Sequence, residues 1–491
     1  MTGIQSISSK TYNRAAALES LRGHDPAHQR ADVVEILADP VNDHLLGYVA
    51  EEAFTHVFPG DRHDSPQRFL SDLNNALAAT PCFHLWANIP LCKYRCHFCQ
   101  FPILVVSHLT DTATQTAQRW IDANIAEAKL WLDAAPAMRT APVGEFCLFG
   151  GTPTAVPPAD LDRLLTFYRD AFRFTDETSL RAEGSPDSIS EEHLKVLAEH
   201  GFRTLTYGIQ SFDDSLLALA NRRHTGEEAL EAGRLARRLG FDRVDADLVW
   251  GLPGQSVAGF LRDVDMMIDE GFDTIIMIKL HLRSFGEVQS AIGYISPAVW
   301  EDPRVRARLA DTGHPWPTLG QQYQMREQAV ERLVNAGYYE HPTTYFPKRC
   351  RGPERWRSLN LDQHLQVPQV GVGLGGYTWS DRSEAHTLTR PAVYLAEIDR
   401  GSLPLDTVTA ISPREREVRA VRMALSTCQP LSDAVHSRRF PGQTLLGGHW
   451  GGRFASLRRR GLVDVDEGRG TVTPTRAGAT LVEAIMQTEI I

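Results

Sequence analysis

From Cys82 onward the chain alternates short apolar runs with longer amphipathic stretches, and this alternation narrows the fold more than any other feature. The apolar runs fall at residues 83–89, 146–149, 179–183, 204–208, 244–249 and 274–280. Between them, residues 113–134, 159–172, 191–200, 226–239 and a segment ending near 269 read as helices. Trp120, Ile121, Ile125, Ala128 and Leu132 form one apolar stripe at helical spacing. Gly201 stands where a helix C-cap is expected. Such strand–helix alternation makes parallel βαβ units and an α/β fold. Six units suit either part of a barrel or an open doubly wound sheet, and the pattern alone is compatible with both.

The motifs follow the strands. Cys92, Cys96 and Cys99 (C-x3-C-x2-C) come after the first, and Gly150-Gly151-Thr152-Pro153 after the second. Glu183-Gly184-Ser185-Pro186 follows the third, Gly208-Ile209-Gln210-Ser211-Phe212 the fourth, and Gly251-Leu252-Pro253-Gly254 the fifth. Ligands of α/β sheets bind beyond the carboxyl ends of the strands. One rim therefore collects the thiols, the glycines and the polar residues Glu183, Gln210 and Asp247. Three thiolates in one loop converge on a soft metal centre. Structural zinc takes four protein ligands, whereas three cysteines on a cubane cluster leave one iron open to a small molecule. On the residues alone, a zinc knuckle completed by His97 stays an alternative.

Composition sets the setting. The 491 residues carry 51 Lys and Arg against 61 Asp and Glu, a net charge of −10, which argues against a general nucleic-acid binder. The first ten residues lack a secretory pattern, and no run of about 18 apolar residues offers a membrane span. A cytoplasmic location without membrane partners is expected. There thiols stay reduced, and clustered cysteines among the seven point to metal or catalysis.

Along the chain, residues 1–80 read as an N-terminal extension with short helices and 81–283 as the α/β core. Residues 284–410 read as an extension of that core, irregular over 284–320, with a helix at 323–336 and one further strand within 338–346. Gly371, Gly373, Gly375 and Gly376 mark tight turns or close backbone approach. Residues 411–491, helices followed by a small hairpin, read as a winged-helix-like cap.

Several stretches together resemble the oxygen-independent coproporphyrinogen III oxidase-like branch of the radical SAM superfamily. They are Cys92-Lys93-Tyr94-Arg95-Cys96-His97-Phe98-Cys99, Gly150-Gly151-Thr152-Pro153-Thr154, Tyr207-Gly208-Ile209-Gln210-Ser211-Phe212-Asp213-Asp214, Asn221-Arg222-Arg223-His224 and Asp247-Leu248-Val249-Trp250-Gly251-Leu252-Pro253-Gly254-Gln255. The resemblance runs from about residue 82 to the end, taking in Gly461-Leu462-Val463-Asp464-Val465. It implies a partial (β/α)6 barrel with a strand and helix extension and the C-terminal cap. It also implies a [4Fe–4S] cluster on Cys92, Cys96 and Cys99, with S-adenosylmethionine (SAM) on the open iron. By the same resemblance, Gly150, Gly151 and Thr152 meet the SAM amino group, and Glu183, Gln210, Arg222 and Asp247 line its pocket. The implied partners are a small-molecule substrate and an electron donor such as flavodoxin or ferredoxin.

Departures from the pattern select a reaction. The porphyrinogen oxidases resemble C-x3-C-x2-C-x-C preceded by Tyr-x-His; here Phe101 and Trp86-Ala87-Asn88 occupy those places. The haem chaperones carry His-Asn-x-x-Tyr-Trp, where this chain has Ser358-Leu359-Asn360-Leu361-Asp362-Gln363-His364. The resulting expectation is a methyltransferase or cyclopropanase-type enzyme that uses two SAM molecules to alkylate an sp2 carbon of a natural-product intermediate. A tetrapyrrole decarboxylase and a haem carrier without turnover are the alternatives. Lys279, His281 and Tyr345 are the candidates for substrate chemistry, with Arg283, Trp250 and Trp379 as further rim or stacking residues.

Overall fold

The computed structural model describes residues 13–22, 31–50, 62–106, 111–280, 298–341, 343–348 and 367–490. Its strands are β1 (Arg62–His63), β2 (Phe83–Ile89), β3 (Leu91–Cys92), β4 (Leu104–Val105), β5 (Val143–Gly150), β6 (Ser179–Gly184), β7 (Thr204–Gln210), β8 (Arg243–Trp250), β9 (Thr274–Lys279), β10 (Tyr345–Pro347), β11 (Gln369–Val372), β12 (Tyr377–Trp379), β13 (Ser383–Thr387), β14 (Leu405–Ala410), β15 (Leu431–Ser432), β16 (Val463–Asp466) and β17 (Thr471–Pro474).

The six apolar runs are β2 and β5 to β9, hydrogen-bonded side by side and all parallel. They form the partial (β/α)6 barrel. Strand β11 adds a seventh parallel strand beside β2, and β12, β13, β14 and β1 continue the sheet antiparallel. At the other edge β10 pairs antiparallel with β9.

Alternation along each strand separates two environments. Leu85, Ala87, Phe146, Leu148, Ala182, Leu205, Val244 and Ala246 are buried in the main hydrophobic core. On the outer face the Tyr207 hydroxyl donates to the Ala229 carbonyl of helix Gly226–Arg238 at 2.9 Å. The intervening residues line the inside. Trp86, Cys147, Arg181 and Thr204 are successive partners across β2, β5, β6 and β7. One row further on, Thr206 pairs with Asp245, and Gly208 with Asp247. A parallel sheet covered on both faces is normally apolar throughout; a polar inner face marks a cavity.

The helices start where their caps dictate. Ser190, Thr225 and Ser256 accept hydrogen bonds from the first turns of helices Glu191–Glu199, Gly226–Arg238 and Val257–Glu270. Gly201 and Gly240 take positive φ just past two helix ends. Two expectations shift. Helix Leu319–Asn335 begins four residues early because Thr318 and Gln321 form a capping box. Within the stretch expected to be irregular, Pro303 starts helix Pro303–Asp311 under an Asp302 cap; proline at the first helical position is a starter and not a breaker.

The C-terminal segment holds helices Pro413–Ser426, Asp433–Arg439 and Gly448–Arg459 and the three-stranded sheet β15-β17-β16, the winged-helix-like cap. Its core also takes in Leu21, Leu37 and Leu45 from the N-terminal helices, packed with Val421, Leu457 and Ile485. Arg460 donates to Asn42 Oδ1 at 2.9 Å and pairs with Glu489, so the end of the Arg458-Arg459-Arg460 run is spent on this junction. Helix Pro66–Ala79 instead buries Phe69, Leu73 and Leu77 in the main core.

Candidate active site

The cysteine loop is bound to its neighbours by backbone. Strands β3 and β4 pair across it. Gly151 N–H donates to Ile89 O at 2.8 Å and Thr152 N–H to Leu91 O at 2.7 Å, which seats the Gly-Gly-Thr turn against the first cysteine. Gly150 has φ +114°, and a Cβ on Gly151 would lie 2.6 Å from Leu91 O. Only glycine fits either position. Thr152 Oγ1 lies 3.4 Å from the Cys92 sulfur.

The turn after β7 supports the loop from the other side. Arg222 Nη1 donates to the Cys96 sulfur at 3.4 Å, and Nη2 to Ser185 Oγ at 3.0 Å. Asn221, with φ +58°, donates from Nδ2 to Arg95 O at 2.7 Å. His97 is occupied: its N–H donates to Ala220 O and its Nδ1 lies 2.9 Å from Leu219 O. Its ring packs on Trp300 at 6.0 Å. His97 thus braces the loop against the end of helix Asp214–Leu219. Among the described residues, no group of three or more His, Cys, Asp or Glu side chains is assembled to hold a single metal ion.

Burial pushes the Cys92 thiol up to about 12 and Cys99 up to about 11, and the neighbouring Cys96 sulfur adds to both. They share one enclosed space, and without a metal the two stay protonated. Metal binding there displaces protons.

Inside the barrel the polar groups are partly unsatisfied. Asn88 Oδ1, Gln210 Oε1, Arg222 Nε and Trp86 Nε1 are buried without a hydrogen-bond partner. Buried polar groups are nearly always paired, so such a cluster calls for a polar ligand. Gln210 holds φ +74°, strain worth ~1–3 kcal/mol. Asp247 is half-buried, and its carboxyl is pushed up to about 8, first by burial and next by Glu183. Burial also raises Glu183, against the pull of Arg181. An acid-rich, glycine-floored space fits a cation with amino and hydroxyl donors; three thiols beside it fit an iron–sulfur cluster.

Of the residues expected at the site, the structure gathers Cys92, Cys96, Cys99, Gly150, Gly151, Thr152, Glu183, Gln210, Arg222 and Asp247 along this rim. Tyr345, opposite Ile276, faces the same interior and feels Arg181, Asp247 and Glu183. Lys279 departs from expectation. Strand alternation places it on the face of Ile275 and Met277, which lie in the outer core, while Ile278 takes the inner position. His281, Arg283 and residues 358–364 lie outside the described residues. Trp250 and Trp379 are 5% and 3% exposed, which fits packing and not ligand stacking. Arg181 went unread. It lies 3.1 Å from Glu183 and 3.5 Å from Glu145, with its guanidinium 6.0 Å from the Trp86 ring. Its position two residues before Glu183 was the available signal.

A partial barrel with three thiols and a polar cradle at the carboxyl end of its strands defines a cluster-dependent enzyme fold. The radical SAM superfamily profile matches residues 89–267. The chain is 30% identical over 301 residues to the haem chaperone HemW of Bacillus subtilis, covering 61% of this chain and 72% of that protein. It is 29% identical over 347 residues to the oxygen-independent coproporphyrinogen III oxidase of Helicobacter pylori, covering 67% and 69%. Among solved structures, the Escherichia coli coproporphyrinogen III oxidase, a radical SAM enzyme, aligns with a TM-score of 0.70 at 21% identity, over 86% of this chain and 93% of that one. The chain belongs to the radical SAM superfamily, in its coproporphyrinogen III oxidase and haem chaperone branch. The family brings with it a [4Fe–4S] cluster and SAM.

These relatives overturn the two-SAM alkylation of a natural-product intermediate: they are named for haem handling and coproporphyrinogen oxidation, not methyl transfer. Of the three local departures behind that expectation, one weighs little in the fold. Phe101 is 48% exposed, so its replacement of a cysteine falls outside the enclosed space. Among the described residues, no helix is long and apolar enough to cross a membrane.

Proposed function

We propose that this chain is a SAM-dependent oxidative decarboxylase of the oxygen-independent coproporphyrinogen III oxidase type, acting on a carboxylated tetrapyrrole. The observation that carries the reading is the sequence relationship to the Helicobacter pylori oxidase, which runs over 67% of this chain, against 61% for the Bacillus chaperone. When bound, the cluster and SAM supply a carbon radical that removes a hydrogen atom from the substrate. Loss of carbon dioxide and of one electron to an external acceptor completes such a reaction.

The chain's own residues do the holding. Cys92, Cys96 and Cys99 carry the cluster. Gly150, Gly151 and Thr152 receive the SAM amino group, and Glu183 and Asp247 suit its cationic and hydroxyl donors. Gln210 and Arg222 present unsatisfied amide and guanidinium atoms to the same space. Tyr345 keeps its proton, since burial raises its phenol to about 12, and it stands on the inner face as a neutral donor toward a substrate carboxylate. A flavodoxin- or ferredoxin-type reductant is part of this reading; a second SAM is not.

Haem carriage is the second reading, favoured by the 30% identity to the Bacillus chaperone. One experiment separates them: anaerobic reconstitution with iron and sulfide, then incubation with SAM, reductant and coproporphyrinogen. Carbon dioxide release with 5′-deoxyadenosine formation is expected. Stoichiometric haem capture without SAM cleavage would replace the decarboxylase with the carrier.

A further inference from the structure

Gln210 is a non-glycine residue held in the left-handed region, φ +74°, at a register shift between β7 and β8. Its side chain folds back over Gly208, where a Cβ would come within 2.2 Å of Gln210 Nε2. Such a conformation persists only when its surroundings impose it. Helix Val257–Glu270 supplies the imposition. Its buried face is Phe260, Leu261, Val264 and Met267, with a single carboxylate, Asp263, among them. Asp263 is 4% exposed. A lone carboxylate in an apolar row is costly unless both oxygens are used, and both are. Ser211 Oγ donates to Asp263 Oδ2 at 2.7 Å, and Phe212 N–H donates to Oδ1 at 3.1 Å. These are the two residues directly after Gln210.

The held segment continues to the cysteine loop. Ser211 Oγ also accepts from Asp213 N–H at 3.1 Å, and Asp213 caps the short helix Asp214–Leu219. That helix delivers Leu219 and Ala220 to His97, Asn221 to Arg95, and Arg222 to Cys96. One carboxylate thus anchors a strap whose near end is the Gln210 turn and whose far end braces the cluster-binding loop.

We propose that Asp263 is a positioning residue for SAM: it holds the Gln210 turn, and through the strap it sets Arg222 against the loop. The proposal rests on Gln210 and Arg222 facing SAM, so its test separates the two claims. The variants are Asp263→Ala, Asp263→Asn, Gln210→Ala and the double variant Asp263→Ala with Gln210→Ala. Asparagine keeps one acceptor for Phe212 and gives Ser211 a donor, so it is the conservative rescue.

In the iron-free chain, amide exchange at Phe212 reads the hold directly, and at least a tenfold loss of protection is expected in Asp263→Ala. In the reconstituted protein, iron per chain is expected to stay at the wild-type level while the SAM dissociation constant rises about tenfold, the scale of one charge-assisted hydrogen bond. Asp263→Asn is expected to recover most of both. The double variant is expected to lose less SAM affinity than the product of the two single losses, because the two residues share the Gln210 turn. A wild-type SAM affinity in Asp263→Ala, alongside a weakened Gln210→Ala, overturns the proposal. So does an independent, multiplicative loss in the double variant, or an Asp263→Asn chain as impaired as the alanine variant. A Gln210→Ala chain that binds SAM normally overturns the assignment of Gln210 and with it the cofactor role of Asp263, while the exchange result still reports on the turn.

Discussion

The Arg222 guanidinium touches the Cys96 sulfur with one arm and Ser185 Oγ with the other, so one half-buried cation joins the cysteine loop to the turn after β6. Its Nε remains without a partner. Lysine cannot reproduce this fork, since its ammonium is a point charge on a flexible stem. Arg222→Lys and Arg222→Ala are both expected to weaken SAM binding at least about tenfold, or about 1.4 kcal/mol. The SAM-induced change in the electron paramagnetic spectrum of the reduced cluster measures this. An unchanged response in the alanine variant would remove Arg222 from the site.

The Gly-Gly-Thr turn tolerates no side chain. A Cβ on Gly151 would press on Leu91 O at 2.6 Å and Ile89 O at 2.9 Å, both backbone atoms that cannot swing aside. Gly151→Ala is expected to cost about 1–3 kcal/mol of stability, as overpacking does, and to lower the iron bound per chain, because the same backbone carries Cys92. Thermal unfolding and iron analysis together check it. A variant with wild-type values for both would mean the turn relaxes freely.

Each cluster cysteine is expected to be indispensable. Cys96→Ala should abolish iron binding and SAM cleavage together, whereas Cys147→Ala should spare the iron, since Cys147 faces Arg181 within the barrel. Iron content and 5′-deoxyadenosine formation are the readouts. Persistent SAM cleavage in Cys96→Ala would refute the cluster assignment.

Asp247 gives a pH signature. Its carboxyl is raised to about 8, first by burial and next by Glu183, whereas an unfolded aspartate titrates near 3.9. Between those values the folded chain holds a proton that the unfolded chain has shed, so stability falls as pH rises through this window. The loss is complete above about pH 8 and absent below the unfolded value. Urea unfolding of the iron-free chain should show this decline between about pH 5 and about pH 8, and Asp247→Asn should flatten part of it. An identical decline in that variant would show that Asp247 is not the group responsible.

The strands and the rim are legible because βαβ units impose a regular alternation, and the motifs sit where each strand ends. The three cysteines, the Gly150 turn, Glu183, Gln210 and Asp247 are readable for that reason, and Arg222 only through the family resemblance. Helix Pro303–Asp311 was not, because its cap and leading proline look like loop chemistry until the cap is seen in place. Lys279 was misplaced by one residue of alternation: the inner position belongs to Ile278, and strand parity cannot be read where a run is apolar on both faces. Asp263 is not legible because its partner Ser211 lies 52 residues away, whereas Arg181 stands two residues from Glu183, its partner at 3.1 Å. The reaction is not legible in Phe101, Trp86-Ala87-Asn88 or residues 358–364, because these are short local departures within a relationship that spans most of the chain.

The core that Leu21, Leu37 and Leu45 share with Val421, Leu457 and Ile485 sets an order of assembly. On the ribosome the first helices emerge long before the residues that cover them have been translated, so their apolar sides must wait or be chaperoned. The six parallel strands β2 and β5 to β9 between them pair in chain order and have no such delay. Closure of the two chain ends over each other is therefore a late event, and cluster loading can precede it.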